Sequence, residues 1–156
     1  MKRFYVLITI VMISLLPAHA RSADLVFMVL DANSYVANLA VSGLGTKVDI
    51  RIITGDDTVR EPAAMTAAIN GASLIVVDVM GRELESFLTE QVRPKGKTIY
   101  ALRGSLDDQS LKKKGFIFDP EVAGYYRHLS VVNIQNMLRL VIHRHLDSSV
   151  SYGPVA

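Results

Sequence analysis

Residues 71–90, GASLIVVDVMGRELESFLTE, decide the predicted fold. The run Leu74–Val77 is apolar throughout and rich in β-branched side chains, and since it shows no alternation we expect both of its faces to be buried, as in the middle of a parallel sheet. Gly71 and Gly81 punctuate its two ends. Residues 82–90 then change to helical spacing. The stretch therefore predicts a buried strand, a tight glycine turn and an amphipathic helix, which are the first two parts of a βαβ unit.

Three further strands are predicted on either side of this stretch. Residues 24–30 (DLVFMVL) form a second buried-type run, and residues 97–102 (KTIYAL) form another strand. Residues 47–53 (KVDIRII) alternate apolar and charged side chains, which is typical of a strand at a sheet edge with one face partly wet. Residues 54–57 predict a loop.

Helices are predicted between these strands, over residues 32–41, 61–70 and 82–91. The first is expected to bury a face made of Tyr35, Val36, Leu39 and Ala40. With right-handed crossovers, this alternation gives a three-layer α/β fold of the flavodoxin or Rossmann type. We expect a parallel sheet of about four strands, in the order 2-1-3-4.

The last quarter of the sequence predicts a C-terminal helical extension. A short helix over residues 105–113 begins at Ser105, and Asp119-Pro120 turns the chain. Ser130 is placed to cap a long amphipathic helix over residues 131–146. We therefore divide the chain into an α/β domain over residues 21–120 and a helix with a linker tail over residues 121–156.

The first twenty residues have the pattern of a secretory signal. Lys2 and Arg3 precede an apolar run over residues 4–16, and Ala18-His19-Ala20 resembles a cleavage site. Because the run is shorter than the ~20 residues that a membrane-spanning helix needs, we expect cleavage after Ala20 and export to the periplasm or beyond. An uncleaved N-terminal anchor is the alternative; after cleavage no membrane span is expected.

Charge and cysteine content exclude several functional classes. The sequence has 17 Lys+Arg and 15 Asp+Glu, and since Lys2 and Arg3 lie in the signal, the remainder is formally neutral. A neutral chain gives no basis for nucleic-acid binding. Cysteine is absent, which excludes disulfides, thiol nucleophiles and cysteine-ligated metals.

Two acids and a glycine mark a candidate ligand edge. Asp31 and Asp78 follow adjacent predicted strands, and Gly81 lies in the turn after the second. Open α/β sheets bind ligands at the carboxyl ends of their strands, where two carboxylates can bind a cation or perform acid–base work. The alternative is structural: Asp31 caps the following helix, and Asp78 accepts a hydrogen bond from loop backbone.

No catalytic or metal-ligating residue is predicted. His143 and His145 are two positions apart on a helix, so they point in different directions and cannot chelate one ion. The sequence contains no Walker loop, no nucleophile-elbow motif and no dinucleotide-binding glycine motif after a strand. A receiver domain is excluded too, because only one acid follows the first strand and no lysine occurs beyond Lys114.

The most specific segment is Tyr125-Tyr126-Arg127-His128, followed by the Asn133-Ile134-Gln135-Asn136-Met137-Leu138 run. Its structural interpretation is a packed aromatic loop that precedes a helix. Its functional interpretation is a module contact or part of a tetrapyrrole cleft, which makes Tyr125, Tyr126 and His128 candidate ligand-binding residues.

This segment resembles the large subunit of cobaltochelatase (CobN) and the related magnesium-chelatase H subunit. The family carries a tyrosine-containing stretch into a helix with an N-hydrophobic-x-N-L-L pattern, matched here by Tyr125, Tyr126, Asn133, Ile134, Asn136, Met137 and Leu138. The tail Tyr152-Gly153-Pro154-Val155 is similar to the linker that precedes the family's next block, and the strand ending in Asp78-Val79-Met80-Gly81 fits its N-terminal region.

The resemblance implies ATP-dependent insertion of a divalent metal into a tetrapyrrole, with ATP hydrolysed by partner chelatase subunits. The residues attributed to metal insertion belong to a part of the family that this sequence does not match, so no catalytic residue is carried over. We therefore expect the N-terminal fragment or module of a chelatase subunit, not catalytic by itself. The alternative is an exported α/β domain that binds a small ligand or cation at the strand-end edge.

Overall fold

A computed structural model describes residues 23–156, so the predicted secretory signal lies outside the described residues. Five strands alternate with seven α-helices over that range. The strands are β1 (Leu25–Met28), β2 (Ile50–Ile53), β3 (Leu74–Val77), β4 (Thr98–Ala101) and β5 (Phe116–Ile117). The helices are α1 (Ser34–Ser42), α2 (Gly55–Arg60), α3 (Pro62–Gly71), α4 (Arg82–Ser86), α5 (Asp108–Lys113), α6 (Pro120–Arg127) and α7 (Val131–His145), with a 3-10 turn at Asp31–Asn33 and a π-helical turn at Phe87–Val92.

The strands form one parallel sheet in the order β2-β1-β3-β4-β5. This confirms the predicted three-layer α/β fold of the Rossmann type, with five strands in place of about four. The added strand is β5, a two-residue apolar strand that pairs with β4. In the register, Met28 lies beside Val77, and Val77 beside Ala101, so the carboxyl ends of β1, β3 and β4 meet at one level. We call this level the carboxyl edge.

Each face of the sheet has its own core. Alternate strand residues such as Phe27, Val76 and Tyr100 pack under α1, α6 and α7. The residues between them, such as Met28 and Ile75, pack under α3, α4 and α5. Because β1 and β3 are buried on both faces, their sequences have no polar alternation, as predicted from residues 71–90.

Two helices occur where the sequence predicted irregular structure. Residues 54–57 were expected to form a loop, but Thr54 and Asp57 form a reciprocal capping box that starts α2. The expected aromatic loop around Tyr125 is helix α6, whose first turn is capped by the Asp119 side chain and has Pro120 at a permitted position. Both helices are too short to show a helical periodicity of apolar residues. Only their capping residues, Thr54 and Asp119, indicated in the sequence that a helix could start there.

The predicted inner face of the first helix was wrong in part. Ala37 and Ala40 are buried, whereas Tyr35 is 73% and Leu39 42% exposed. The reason is a close helix–helix contact: the Gln135 side chain of α7 donates to the carbonyl of Ala40, so small residues occupy the side of α1 that approaches α7.

Residues of the C-terminal helices belong to the same core as the sheet. Ile134, Leu138 and Val141 of α7 lie in one cluster with Leu25 and Phe27 of β1. Ser130 caps α7 as predicted, since its hydroxyl accepts from the Asn133 N–H. Over residues 23–156, the helices are too short or too polar to span a membrane.

Candidate functional site at the carboxyl edge

The carboxyl edge brings together polar side chains from the ends of three strands. Asp78 comes directly after β3, Arg103 lies two residues after β4, and Asn33 ends the 3-10 turn after β1. Tyr126 of α6 packs over them from one face of the sheet. These four residues are called the edge cluster. Asn33 and Asp78 follow β1 and β3, the two strands between which the chain order of the sheet reverses, and such a point is where open α/β sheets bind ligands.

Asp78 is fully buried and only partly satisfied. Its exposed fraction is 0%, and one carboxylate oxygen accepts from the Met80 N–H at 3.2 Å. The other oxygen, Oδ2, has no hydrogen-bond partner among the described residues, although Arg103 Nε lies 3.3 Å from it. Arg103 therefore neutralises the charge without completing a hydrogen bond, which leaves a costly buried acceptor.

Arg103 is held on three sides. Its Nε faces Asp78, its guanidinium carbon lies 5.0 Å from the centre of the Tyr126 ring, and Nη1 lies 3.8 Å from the Met80 sulfur. The ring face attracts the guanidinium electrostatically and so holds it in place. The side chain remains 33% exposed, so its outer end reaches solvent while its inner end is fixed.

Tyr126 is the buried floor of the cluster. It is 1% exposed, and its hydroxyl oxygen accepts from Asn33 Nδ2 at 3.1 Å. Burial, followed by the nearby Asp78 carboxylate, raises the pKa of Tyr126 above the ordinary 10.0. The phenol is therefore a neutral group at physiological pH, able to donate or accept a hydrogen bond but not to act as a base.

Two adjoining cavities open beside the cluster, of about 320 and 270 Å³. They share Leu102, Arg103, Ala123 and Arg127 in their walls; the first also reaches Tyr126, and the second Asp119. Together they form a groove between the end of β4 and helix α6, which we call the edge groove. Its size suits a small molecule, since ligand pockets run from about 300 Å³ upward.

Asp31 and Asp78 have different partners in the structure. The Asp31 side chain is exposed, and its Oδ1 accepts from the Asp56 N–H at 3.2 Å, in the first turn of α2. It thus caps a neighbouring helix and not the one that follows it, while Asp78 faces Arg103. Within residues 23–156, no three side chains among His, Cys, Asp and Glu come together as a metal site would require.

Gly81 is placed by packing. It is buried, and a Cβ at this position would lie 2.9 Å from the Leu30 side chain and 3.2 Å from that of Leu84. The glycine lets the turn after β3 approach the turn after β1. Gly81 therefore shapes the carboxyl edge and offers no side chain to a ligand.

Of the three candidate ligand-binding residues Tyr125, Tyr126 and His128, only Tyr126 belongs to the edge cluster. The hydroxyl of Tyr125 donates to the Gly153 carbonyl, so this side chain holds the C-terminal tail. His128 has an exposed side chain, and its carbonyl accepts from Asn133 Nδ2. Tyr125 and His128 thus lie outside the cluster, although His128 follows directly on Arg127 of the groove.

The two asparagines of the N-x-x-N pattern bind the tail. Asn136 accepts from the Gly153 N–H at 3.2 Å and donates to the Pro154 carbonyl at 3.3 Å. Asn133 accepts from the Ala156 N–H at 2.8 Å and donates to its carbonyl at 3.1 Å. Each side-chain amide therefore accepts from one backbone N–H of the tail and donates to one backbone carbonyl, as the main chain of a neighbouring β-strand would. We call residues 153–156 and their two asparagines the tail clamp.

Sequence reasoning missed Arg103, Asn33 and Arg127. Arg103 could have been predicted, because both Arg103 and Asp78 directly follow predicted strands. Parallel strands end at the same edge of a sheet, so two such side chains can be expected to lie close together. Asn33 and Arg127 had no local signal, since their positions depend on the 3-10 turn and on helix α6.

A larger cavity lies elsewhere among the described residues, and we do not assign the site to it. It measures about 820 Å³ between the loop before β2, helix α7 and the tail, with Thr46, Arg139 and Tyr152 among its walls. Among the described residues, the buried side-chain atom that lacks a partner is Asp78 Oδ2, which lies at the carboxyl edge. An unsatisfied buried carboxylate is a stronger indication of function than the volume of an open surface cavity.

Comparisons with protein-family models, with curated proteins and with solved structures find no match for this chain.

Proposed function

We propose that this chain is a binding domain for a small ligand, with its site in the edge groove beside Asp78, Arg103 and Tyr126. The observation that carries the proposal is the fully buried Asp78, whose Oδ2 has no hydrogen-bond partner in the described part of the chain. Such a group is costly to keep in a structural core and is commonly retained where it serves a ligand or orients a side chain that does. The groove also lies at the carboxyl ends of parallel strands, the edge at which open α/β sheets bind ligands, and Asp78 follows β3, one of the two strands at the reversal of strand order.

Thermal unfolding with a panel of ligands tests this proposal. The panel comprises divalent cations, nucleotides, sugar phosphates, dicarboxylates and polyols. We expect at least one member to raise the melting temperature of the wild type, because a ligand that binds only the folded state stabilises it. The shift should be lost in Asp78→Asn and kept in Asp31→Asn, a matched removal of one carboxylate at the same edge. No shift with any member, or equal shifts in both variants, would contradict the proposal.

A second candidate is a module of a chelatase-like subunit, as the resemblance implies. It is favoured by the contacts of the tail, in which Tyr125 and Asn136 bind the Gly153-Pro154 segment and Asn133 binds Ala156. The two parts of the resembling pattern, residues 125–138 and the C-terminal tail, are thus in contact with one another. This contact is a physical reason for them to occur together. The proposal includes a tetrapyrrole ligand, partner chelatase subunits and no catalysis by this chain alone.

An absorbance titration with a water-soluble porphyrin tests the second candidate. Binding should shift the Soret band, and Tyr126→Phe should weaken the shift if the macrocycle enters the edge groove. An unshifted band at porphyrin concentrations up to the millimolar range would rule out macrocycle binding by this chain. Export belongs to the same set of proposals, and N-terminal sequencing of periplasmic protein beginning at Arg21 would support it.

A further inference from the structure

We infer that the ligand of the edge groove is a small anion, with carboxylate or phosphate oxygens bound by Arg103 and Arg127. This inference rests on the proposed binding function and names the chemical class of its ligand. It is carried by the orientation of one guanidinium, by a second arginine in the same groove and by the partners of the nearby acids.

The orientation of Arg103 leaves its outer donors free for a ligand. Asp78 Oδ2 lies 3.3 Å from Nε, the inner nitrogen, and neither Nη group at the tip of the guanidinium donates a hydrogen bond to Asp78. Nη1 meets the Met80 sulfur at 3.8 Å, a weak acceptor, and no oxygen of residues 23–156 accepts from either Nη group. A pair of parallel N–H donors matches the two oxygens of a carboxylate or phosphate.

The side chain is also ordered before a ligand arrives. Asp78 is 0% and Tyr126 1% exposed, so the carboxylate and the ring that hold Arg103 are themselves fixed in the core. A flexible arginine side chain on a protein surface loses much of its conformational entropy when it binds a ligand. Arg103 has already lost most of that freedom on folding, so the entropic cost of ordering its side chain does not arise again when a ligand binds.

Arg127 adds a second positive charge to the groove. It is the last residue of α6, is exposed, and lines both cavities together with Arg103. Within the described residues, no carboxylate lies within ion-pair distance of it. The acid of the second cavity, Asp119, is already engaged by Arg144 at 2.9 Å and by the first turn of α6. The charge left for a ligand is therefore positive, which favours anions and disfavours metal cations.

Titration of the ¹⁵N-labelled protein with matched probes tests the inference. Succinate and inorganic phosphate are the anionic probes, and succinamide is the neutral probe of nearly the same shape as succinate. We expect saturable shifts of the Arg103, Gly104 and Arg127 amide signals with an anion and none with succinamide. Arg127→Gln should weaken anion binding about tenfold, that is by about 1.4 kcal/mol. Arg60→Gln, an exposed arginine outside both cavities, should leave binding unchanged.

Arg103→Lys provides a second variant that keeps the charge opposite Asp78 and removes the paired donors. It should also weaken binding of the anion. If the anions cause no shift while succinamide or another neutral panel member does, the anion assignment is wrong and the proposed binding function stands. If no probe shifts these signals, both are wrong. Equal losses in Arg127→Gln and Arg60→Gln would overturn the inference by showing nonspecific charge attraction.

Discussion

Asp78 and Arg103 depend on one another unequally. The acid has no access to water, whereas the arginine is 33% exposed and can be hydrated without its partner. Removing a charge from a buried pair is strongly destabilising only if the charge that remains is itself buried. The pair therefore stabilises the fold mainly by neutralising Asp78.

We predict that Arg103→Gln lowers the free energy of unfolding by about 3 kcal/mol, since it leaves an uncompensated buried carboxylate. Asp78→Asn should change it by no more than about 1 kcal/mol, because the remaining cation is hydrated and the amide oxygen can still accept from the Met80 N–H. Urea unfolding of both variants at neutral pH measures the two effects.

The double variant Asp78→Asn/Arg103→Gln is the control. Since it removes both charges, we expect it to recover most of the stability that Arg103→Gln loses. Equal losses in the two single variants, or an additive loss in the double variant, would show that the neutralisation of Asp78 is not what Arg103 contributes.

Tyr126 predicts how stability depends on alkaline pH. Its pKa in the folded protein is raised above 10.0 by burial and by Asp78, so the folded state favours the neutral phenol. The stability that this provides is fully present below pH 10, and it is lost as the pH rises from there toward the folded-state pKa. Tyr126→Phe should therefore lose less stability than the wild type between pH 9 and 11, as measured by urea unfolding. Parallel losses in the two proteins would contradict the assignment.

At this scale, the sequence predicted Asp78 and Tyr126 but not the partner that joins them. Asp78 was identifiable because a carboxylate directly after a fully apolar strand has no local reason to be there. Arg103 depends on the alignment of β3 with β4, and Arg127 on a helix that was not predicted. The sequence also suggested that Asp31 and Asp78 could serve one ligand, because it does not reveal that Asp31 accepts a hydrogen bond from the Asp56 N–H at the start of α2.

At the scale of elements, the junction between α6 and α7 depends on Asp119. It caps α6 by accepting from the N–H groups of Glu121 and Val122, and it pairs with Arg144 near the end of α7. Burial alone would raise the pKa of Asp119, but the hydrogen bonds from Val122, Glu121 and Arg144 outweigh it, and the pKa lies below 3.8. The acid therefore stabilises the fold in its ionised form.

Asp119→Ala should cost about 1–2 kcal/mol at neutral pH, through the lost cap and a partly screened ion pair. The contribution of Asp119 is present above pH 3.8 and is lost as the pH falls through the lowered folded-state pKa. The difference between the wild type and Asp119→Ala should thus shrink below pH 3.8. Urea unfolding at pH 7 and pH 3 measures this, and a difference that stays constant would contradict it.

The tail clamp predicts local protection from hydrogen exchange. Asn136→Ala removes the acceptor of the Gly153 N–H, so we expect that amide to exchange about tenfold faster, as for the loss of one hydrogen bond. Val132→Ala is a control on the same helix, because Val132 is 53% exposed and makes no hydrogen bond to the tail. An unchanged Gly153 exchange rate in Asn136→Ala, measured by NMR, would show that the tail is held in another way.

Elements differed in how far the sequence predicted them. The strand at Leu74–Val77 was predicted to the residue, because full burial leaves a continuous apolar run. Helix α4 was predicted as one regular helix to residue 91, but it changes at Phe87 to a π-helical turn that places both Phe87 and Leu88 in the core. A change of helix type follows from packing and has no signature in apolar spacing.

At the scale of the whole molecule, the C-terminal helices and the sheet form one unit. Leu138 of α7 is 0% exposed and shares a cluster with Leu25 of β1 and Tyr126 of α6. We predict that Leu138→Ala lowers the free energy of unfolding by about 3 kcal/mol, by removing buried methyl groups and leaving a cavity. Circular dichroism and tyrosine fluorescence should report one coincident transition in both proteins. A helical transition separate from that of the sheet would mean that residues 121–156 fold on their own.

The fold class was predictable because it follows from the order of elements. Apolar runs alternating with helical segments leave little choice beyond a parallel sheet covered on both faces. The assignment of residues to helices on one face or the other was not predictable. It depends on contacts such as that of Gln135 with Ala40, which lie far apart in the sequence.

The path of the tail has a practical use in sensor engineering. Helix α7 runs in the same direction as α1, since Gln135 reaches Ala40 and Arg139 reaches Leu44, and the tail then returns along α7 to Asn133. Asn133 binds both the Ala156 N–H and the carbonyl of His128. His128 in turn follows directly on Arg127 of the groove. We therefore expect a fluorophore coupled at residue 156 to report occupancy of the groove without any change to the residues that line it.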